Sequence, residues 1–387
     1  MKSLRDFNLK GKKVLIRVDF NVPIENGKIT DDTRIIETLP TINYVIQSLG
    51  KVILCSHLGR PKGKKIPELS LKPVYEYLKN VLKTPVKFLE DLTEDSINKV
   101  VKELKEGEIL LLENVRFYKG ETENDLEFAK LLAKLADIFI NDAFSVSHRI
   151  HASVVGVAQL VSEKGIGFQM EKELKYLSKI VSKPERPFYA VVGGSKVSSK
   201  IGILKNLINK VDKLIIGGAM ANTFLHAKGY SVGASILEND HIDTAKEIMK
   251  YAKEQEVKLY LPVDVVVERD GEIKEINVRE IIEGDKIFDI GIETIKLFSQ
   301  ALEGSKTIIW NGPMGYFEKP PFHKGTVALA RKIASLSSVT IAGGGDTILA
   351  IKLAGVETAF SYISTAGGAF LEYLEREELP GLKVLKG

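Results

Sequence analysis

Apolar residues in this chain come in short unbroken runs separated by longer segments of mixed character. Val14-Leu15-Ile16-Arg17-Val18-Asp19-Phe20-Asn21 reads as a strand that ends in polar residues and Pro23. The form repeats in Val52-Ile53-Leu54-Cys55-Ser56-His57, in Ile109-Leu110-Leu111-Leu112-Glu113-Asn114-Val115-Arg116-Phe117, and in Ala136-Asp137-Ile138-Phe139-Ile140-Asn141-Asp142-Ala143-Phe144. Between them lie helical periods, such as 125 to 135 with apolar residues at 126, 128, 131, 132 and 135. Continuous apolar strands alternating with helices predict parallel sheets covered on both faces. Met170, Leu174, Leu177 and Val181 then fall at helical spacing, and 167–181 reads as a linker helix running into Lys183-Pro184-Glu185-Arg186-Pro187.

The strand rhythm resumes beyond that linker, with different exits. Phe188-Tyr189-Ala190-Val191-Val192 leads to Gly193-Gly194-Ser195-Lys196, and Leu214-Ile215-Ile216 to Gly217-Gly218. Lys286-Ile287-Phe288-Asp289-Ile290 leads to Gly291, and Thr307-Ile308-Ile309-Trp310 to Asn311-Gly312-Pro313-Met314-Gly315. Val339-Thr340-Ile341-Ala342 enters Gly343-Gly344-Gly345-Asp346-Thr347 and then a helical run closed by Gly355. Tyr362-Ile363-Ser364-Thr365 is followed by Ala366-Gly367-Gly368, and Asp270-Gly271 predicts a hairpin turn. A strand, a glycine turn and a helix start leave bare N–H groups and a positive dipole end for a phosphate. Asp346 stands where a carboxylate either caps that helix or faces a metal carried on phosphates. Lys196 and Lys200, four apart at an expected helix start, reach phosphates from one face.

The first half ends its strands differently, in Asp19 and Asn21, His57 and Arg60, Arg116, then His148, Arg149 and His151, with Arg34 close behind the first strand. Ligands of open α/β sheets bind outside the carboxyl ends of the strands. One such arginine is an ordinary loop residue; four at equivalent exits, with histidines, describe an anion site for a small phosphorylated or carboxylated compound.

Composition narrows this reading. At 387 residues the chain is too long for one ordinary core, so two domains are expected. Near-balanced charge, 55 basic against 51 acidic residues, argues against bulk nucleic-acid binding. The single cysteine, Cys55, permits no intrachain disulfide and suits a reducing, cytoplasmic setting. Met1-Lys2-Ser3-Leu4-Arg5-Asp6 lacks the apolar stretch of a signal peptide, and no apolar run approaches a membrane span. Walker, dinucleotide-fingerprint, zinc and serine-elbow motifs are all missing.

Taken together and in order, Arg17-Val18-Asp19-Phe20-Asn21-Val22-Pro23, Ser56-His57-Leu58-Gly59-Arg60-Pro61, Leu112-Glu113-Asn114-Val115-Arg116-Phe117, Gly193-Gly194-Ser195-Lys196-Val197, Trp310-Asn311-Gly312-Pro313-Met314-Gly315-Tyr316-Phe317-Glu318, Gly343-Gly344-Gly345-Asp346-Thr347 and Ser364-Thr365-Ala366-Gly367-Gly368 make the whole chain resemble the phosphoglycerate kinase family. The resemblance implies two doubly wound, Rossmann-like parallel-sheet domains: residues 1–167 for 3-phosphoglycerate and 184–365 for nucleotide. A helix over 168–183 joins them, and 366–387 returns to the first domain. It implies reversible phosphoryl transfer from 1,3-bisphosphoglycerate to ADP with Mg²⁺, in line and with domain closure, by a monomer acting on small molecules.

Residue by residue, the resemblance gives Arg34, Lys196, Gly345, Gly367 and Gly368 to the transferred phosphoryl. It gives Asp19, Phe20, Asn21, Arg34, His57, Leu58, Gly59, Arg60, Arg116 and Arg149 to the glycerate. Lys196, Lys200, Gly217, Gly291, Asn311, Pro313, Glu318, Gly344, Gly345, Asp346 and Thr347 go to the nucleotide, with Asp346 facing the metal. The chain departs from the family at Ser145-Val146-Ser147, where Gly-Thr-Ala is usual, at Ala366 and at Gln169. Two alternatives are a kinase of another small carboxylate and a nucleotide-binding module without catalysis.

Overall fold

The computed structural model describes residues 1–181, 184–376 and 378–386. The chain divides into two compact units, Met1–Lys175 together with Glu378–Gly387, and Tyr176–Glu377.

The first unit holds β1 (Lys2–Ser3), β2 (Lys13–Arg17), the small antiparallel pair β3 (Ile24–Glu25) and β4 (Lys28–Ile29), β5 (Lys51–Cys55), β6 (Val86–Leu89), β7 (Ile109–Leu112), β8 (Ile138–Asn141) and β9 (Glu163–Ile166). Its main sheet is parallel throughout, in the order β1-β9-β8-β2-β5-β7-β6. Consecutive residues Val14, Leu15 and Ile16 are all buried, as are Val52, Ile53 and Leu54. Both sheet faces are therefore covered, which explains unbroken apolar runs where one-sided sheets show alternation. The order reverses between β2 and β8, the point at which such sheets leave a crevice at their carboxyl ends.

The strands stop sooner than their apolar runs suggest, because side chains replace the ladder. After β2 the Val18 carbonyl accepts from Arg17 Nη1 (2.5 Å), and the Phe20 N–H donates to Ser56 Oγ (2.9 Å). After β7 the Glu113 carboxylate accepts the Leu71 N–H (2.8 Å), and Asn114 caps the short turn Val115–Phe117. The expected helix over 125–135 forms as Leu126–Ala133, with Asp125 accepting the Phe128 N–H at its start.

The second unit contains β10 (Phe188–Val192), β11 (Lys213–Ile216), β12 (Lys258–Tyr260), β13 (Asp264–Arg269), β14 (Glu272–Asn277), β15 (Lys286–Ile290), β16 (Thr307–Asn311), β17 (Val339–Gly343) and β18 (Tyr362–Ser364). Six of these form a parallel sheet ordered β12-β11-β10-β16-β17-β18, reversing between β10 and β16. The other three make an antiparallel β14-β13-β15 sheet whose hairpin turns, as predicted, at Asp270 and Gly271; both have positive φ. Trp310, Phe298, Leu329 and Ile351 anchor the core.

Domain boundaries differ from the expected ones in two places. The expected connecting helix runs Phe168–Val181, and its last residues, 182 and 183, lie outside the described ones. The division falls inside it, between Lys175 and Tyr176. Expected return of 366–387 to the first unit begins only at Glu378. Residues Gly368–Arg376 form a helix packed on Ile201–Ile208 in the second unit, where Asn206 Nδ2 donates to the Leu374 carbonyl and Glu375 crowds Gly202. Beyond it, the Gly381 N–H donates to the Ser147 carbonyl (2.8 Å) of the first unit.

The start of the connecting helix is secured without a conventional N-cap. Thr41 Oγ1 accepts the Phe168 N–H (3.0 Å) and Asp142 Oδ1 accepts that of Met170 (2.9 Å). Gly167 is required, since a Cβ there would lie 2.3 Å from the Asp142 carboxyl carbon. The unusual Gln169 donates from Nε2 to Glu37 Oε2 (3.2 Å). Burial pushes the Asp142 acid from its ordinary 3.8 up to about 7, against the pull of Thr41 and the Met170 and Gln169 N–H groups. Between those values the folded chain binds a proton that the unfolded chain has released, so this group makes stability fall as pH rises. Asp289 in the second unit, likewise raised to about 7 by burial, acts in the same direction. In urea unfolding from about pH 5 to about pH 8, Asp142→Asn is expected to lose stability less steeply than the natural chain. Parallel slopes for the two proteins would contradict this.

Candidate functional site

In the first unit, the exit of β2 carries Asp19, Phe20 and Asn21 into a tight polar loop. Asp19 Oδ1 accepts the Asn21 N–H (3.1 Å), while Oδ2 accepts from Arg34 Nη1 (2.7 Å) and from Ser145 Oγ (2.5 Å). Arg34 also donates to the Asn21 carbonyl (3.2 Å). Asn21 Oδ1 in turn accepts the Gly59 N–H (2.8 Å), tying the β2 exit to the Leu58-Gly59-Arg60 exit of β5. Gly59 has φ +61, and a Cβ there would lie 2.7 Å from Leu69, so this turn needs glycine. Arg116, from the β7 exit, donates to the Gly59 carbonyl (2.8 Å). Leu58 is buried, its carbonyl held by Asn114 Nδ2 (2.7 Å).

The charges collected here are predominantly positive and poorly compensated. Arg60 and Arg149 are exposed and have no acidic partner among the described residues. Arg116 Nε and His148 Nδ1 are buried without a hydrogen-bond partner among the described residues. Burial and the Arg17 charge bring the Arg116 guanidinium down to about 10, and burial with Arg149 brings His148 down to about 4. His57 is held well below the ordinary imidazole value by burial first, then by Arg17, Arg116, Arg34 and His151. Such a cluster is arranged for an anion that supplies the missing negative charge.

Sequence reasoning missed Arg17, which is fully buried. An arginine inside an apolar strand is the signal that was available. Ser145, one of the departures from the family pattern, proves to be a ligand of Asp19.

The second unit gathers glycine exits around its own reversal point. The Gly193 N–H donates to the Asn311 carbonyl (2.8 Å), and a Cβ on Gly193 would lie 2.1 Å from the Pro313 carbonyl. Asn311 Nδ2 donates to the Gly343 carbonyl (2.6 Å), and its Oδ1 accepts from Lys200 Nζ. Thr347 Oγ1 accepts the Gly312 N–H (2.7 Å). Burial lowers the Lys200 ammonium to about 8, opposed by Asp346.

Three adjacent strand ends, of β10, β16 and β17, are thereby laced together. Gly344, with φ +100, is the N-cap of the helix Gly345–Ala354 and offers no side chain to its N–H groups. Asp346 is exposed and does not serve as that cap. Next to it, Gly367 (φ +54) precedes the helix Gly368–Arg376. Two helix starts with bare N–H groups thus open at neighbouring strands. Lys196 and Lys200 differ from expectation, since both precede the helix Ile201–Ile208 and do not share a helical face.

A cavity of about 430 Å³ adjoins these loops, lined by Ile236, Ile287, Phe288, Met314 and Tyr316 together with Pro313, Glu318 and Asp346. Gly217 and Gly291 are not among the residues that line it. A Cβ on Gly217 would meet Met314 Sδ at 2.3 Å, and one on Gly291 would meet Asp264 Oδ2 at the same distance. Asp264 caps the helix Ile292–Ala301 by accepting from Glu293 and Thr294, so Gly291 serves the turn.

The family model described as phosphoglycerate kinase matches residues 4–377. A phosphoglycerate kinase of Dictyoglomus turgidum is 52% identical, covering 99% of this chain and 98% of its own. That of Thermosipho africanus is 51% identical, covering 98% and 96%. The solved structure of phosphoglycerate kinase from Coxiella burnetii superposes with a TM-score of 0.92 at 44% identity, covering 100% of this chain and 98% of that one. With cation-rich strand exits in one unit, glycine-rich exits in the other and relatives alike over their full length, the chain belongs to the phosphoglycerate kinase family.

Proposed function

We propose that this family member moves a phosphoryl group in line between the acyl phosphate of 1,3-bisphosphoglycerate and ADP, with each substrate held by the unit whose strand exits suit it. The enzyme class is phosphotransferase with a carboxyl acceptor, a step of glycolysis. The observation that carries the residue assignment is the cation cluster at the first sheet's edge, where, among the described residues, Arg60 and Arg149 lack acidic partners and buried Arg116 Nε lacks any. A phosphorylated acid supplies what those groups are missing.

Asp19, Asn21, His57, Arg60, Arg116 and Arg149 hold the glycerate and its non-reacting phosphate. Phe20, Leu58 and Gly59 shape the loop that carries them. In the second unit, the N–H groups of 344–347 and of Gly367 and Gly368 receive nucleotide phosphates, with Lys196 and Lys200 beside them. The apolar cavity receives the base, bordered by Pro313 and Glu318.

When 3-phosphoglycerate attacks ATP, its nucleophile is a carboxylate already ionised at neutral pH, so no general base is needed. Alignment and positive charge are what the protein supplies. Arg34 and Lys196 provide that charge at the transferred group.

Among the described residues no three acidic, histidine or cysteine side chains converge on a point that would cage an ion. The exposed carboxylate of Asp346 fits a Mg²⁺ that arrives on the nucleotide phosphates, where it neutralises charge. The reading includes a cytoplasmic monomer, in keeping with a single, buried, unpaired Cys55; sizing in solution checks the monomer. Among the described residues, no helix is long and apolar enough to cross a membrane.

With Mg-ATP and either 3-phosphoglycerate or acetate as acceptor, a coupled assay is expected to show turnover of the former. Preference for acetate would overturn the substrate assignment. Arg34→Ala is expected to lower kcat by roughly a thousandfold, with a much smaller change in either KM, because the guanidinium acts on charge that develops during transfer. A large KM effect at intact kcat would place Arg34 in ground-state binding.

A further inference from the structure

Beneath the cation cluster lies a buried chain of polar groups that neither half of the mechanism above uses. It starts at Glu121, on the short helix Lys119–Thr122, whose side chain is completely buried. Its Oε1 accepts from Ser153 Oγ (2.7 Å) and its Oε2 accepts the Ser153 N–H (2.9 Å). Ser153 Oγ has only one proton and gives it to Glu121, so toward Arg17 it can only accept, and Arg17 Nε donates to it (2.8 Å). Arg17 Nη1 is fixed on the Val18 carbonyl (2.5 Å), which leaves Nη2 directed at His57 Nδ1 (3.2 Å).

Every proton in this chain has one possible direction. A guanidinium has no acceptor, so Arg17 donates and His57 Nδ1 accepts. His57 then carries its proton on Nε2. An imidazolium would place a second proton on Nδ1, facing the Arg17 N–H. The other cationic or titratable groups around this chain are Arg34, Arg116 and His151; His151 Nδ1 stands 3.5 Å from Glu121 Oε1. Cys55, also buried beside Arg17, is a thiol pushed up to about 12 by burial and adds no charge. For Glu121, burial alone would raise the acid, but His151, Arg17 and Ser153 outweigh it and hold the carboxyl below its ordinary value. Glu121 is thus the anion that keeps a buried arginine compensated.

We infer that Glu121 is a positioning residue for the glycerate site: through Ser153 and Arg17 it locks His57 as the neutral tautomer that donates from Nε2 to the bound acid. The inference rests on the assignment of His57 to the glycerate. It gives the site a directional hydrogen bond among point charges, one that does not switch off as pH rises through the usual imidazole range.

The test is ¹⁵N NMR of the intact protein labelled at its six histidines, with His57 identified through His57→Gln. In the natural chain, His57 is expected to stay a single tautomer, protonated at Nε2, from about pH 5 to about pH 8, and 3-phosphoglycerate is expected to shift its Nε2 signal. Glu121→Gln and Arg17→Lys are expected to give a mixture of tautomers. Both are also expected to raise KM for 3-phosphoglycerate about tenfold, with kcat changed by less than about threefold and KM for nucleotide unchanged. Arg17→Lys keeps the charge but loses the fork, so it separates hydrogen-bond direction from charge.

A His57 that titrates near its ordinary value, or one protonated at Nδ1, would overturn the inference even if Glu121→Gln failed to fold. Unaltered tautomer and KM in both variants would overturn it as well. If the tautomer is as expected but 3-phosphoglycerate leaves Nε2 unmoved, the glycerate assignment fails while the relay stands.

Discussion

A parallel strand cannot be followed directly by its neighbour, and every return in the two main sheets must cross over, mostly through a helix. All carboxyl ends therefore fall on one edge of each sheet, and the reversal of strand order opens a crevice in that edge. In the first unit the reversal lies between β2 and β8, beside Asp19 and Ser145; in the second it lies between β10 and β16, beside Gly193 and Asn311. Everything assigned to chemistry sits at one of these two edges. Helices covering both faces keep the strands apolar, so each chain segment changes character abruptly where it leaves the sheet.

The two edges solve the problem of holding an anion in opposite ways. The first uses side-chain cations and leaves some of them unpaired. Leaving Arg116 Nε and His148 Nδ1 buried without partners costs about 1–3 kcal/mol each, stability given up for a site that is complete only with its ligand. The second uses backbone. Gly344 and Gly367 occupy positive φ at helix starts, where bare N–H groups are the kind of seat a phosphate takes. A flexible, shifting ligand such as a nucleotide phosphate tail suits bare N–H groups, whereas a small acid of fixed shape suits forked guanidinium groups.

Much of this was legible in the residues. Apolar runs gave both parallel sheets, and the contrast between arginine and glycine exits separated the two kinds of edge. What escaped had physical reasons. Strand ends were misjudged because Arg17, Ser56 and Glu113 side chains take over ladder hydrogen bonds, and no periodicity records that. Arg17 was hidden by its compensation: Glu121 and Ser153 are 104 and 136 positions away, and only folding brings them together. The connecting helix reads as one continuous element, and the division within it at Lys175 leaves no mark on its apolar spacing. The C-terminal return, which the family resemblance put at 366–387, begins at Glu378, because Gly368–Arg376 carries an apolar face that the helix Ile201–Ile208 buries. Candidate site residues were named from motif; the direction of each hydrogen bond among them was not legible there.

The account stands on a division of labour between the two units, and amide NMR with each ligand alone tests it most directly. 3-Phosphoglycerate added by itself is predicted to shift amides around Asp19, Gly59, Arg116 and Arg149. Mg-ADP added by itself is predicted to shift those of Gly194, 344–347 and Gly368. Strong shifts at 344–347 on adding 3-phosphoglycerate alone, with the first group silent, would contradict it.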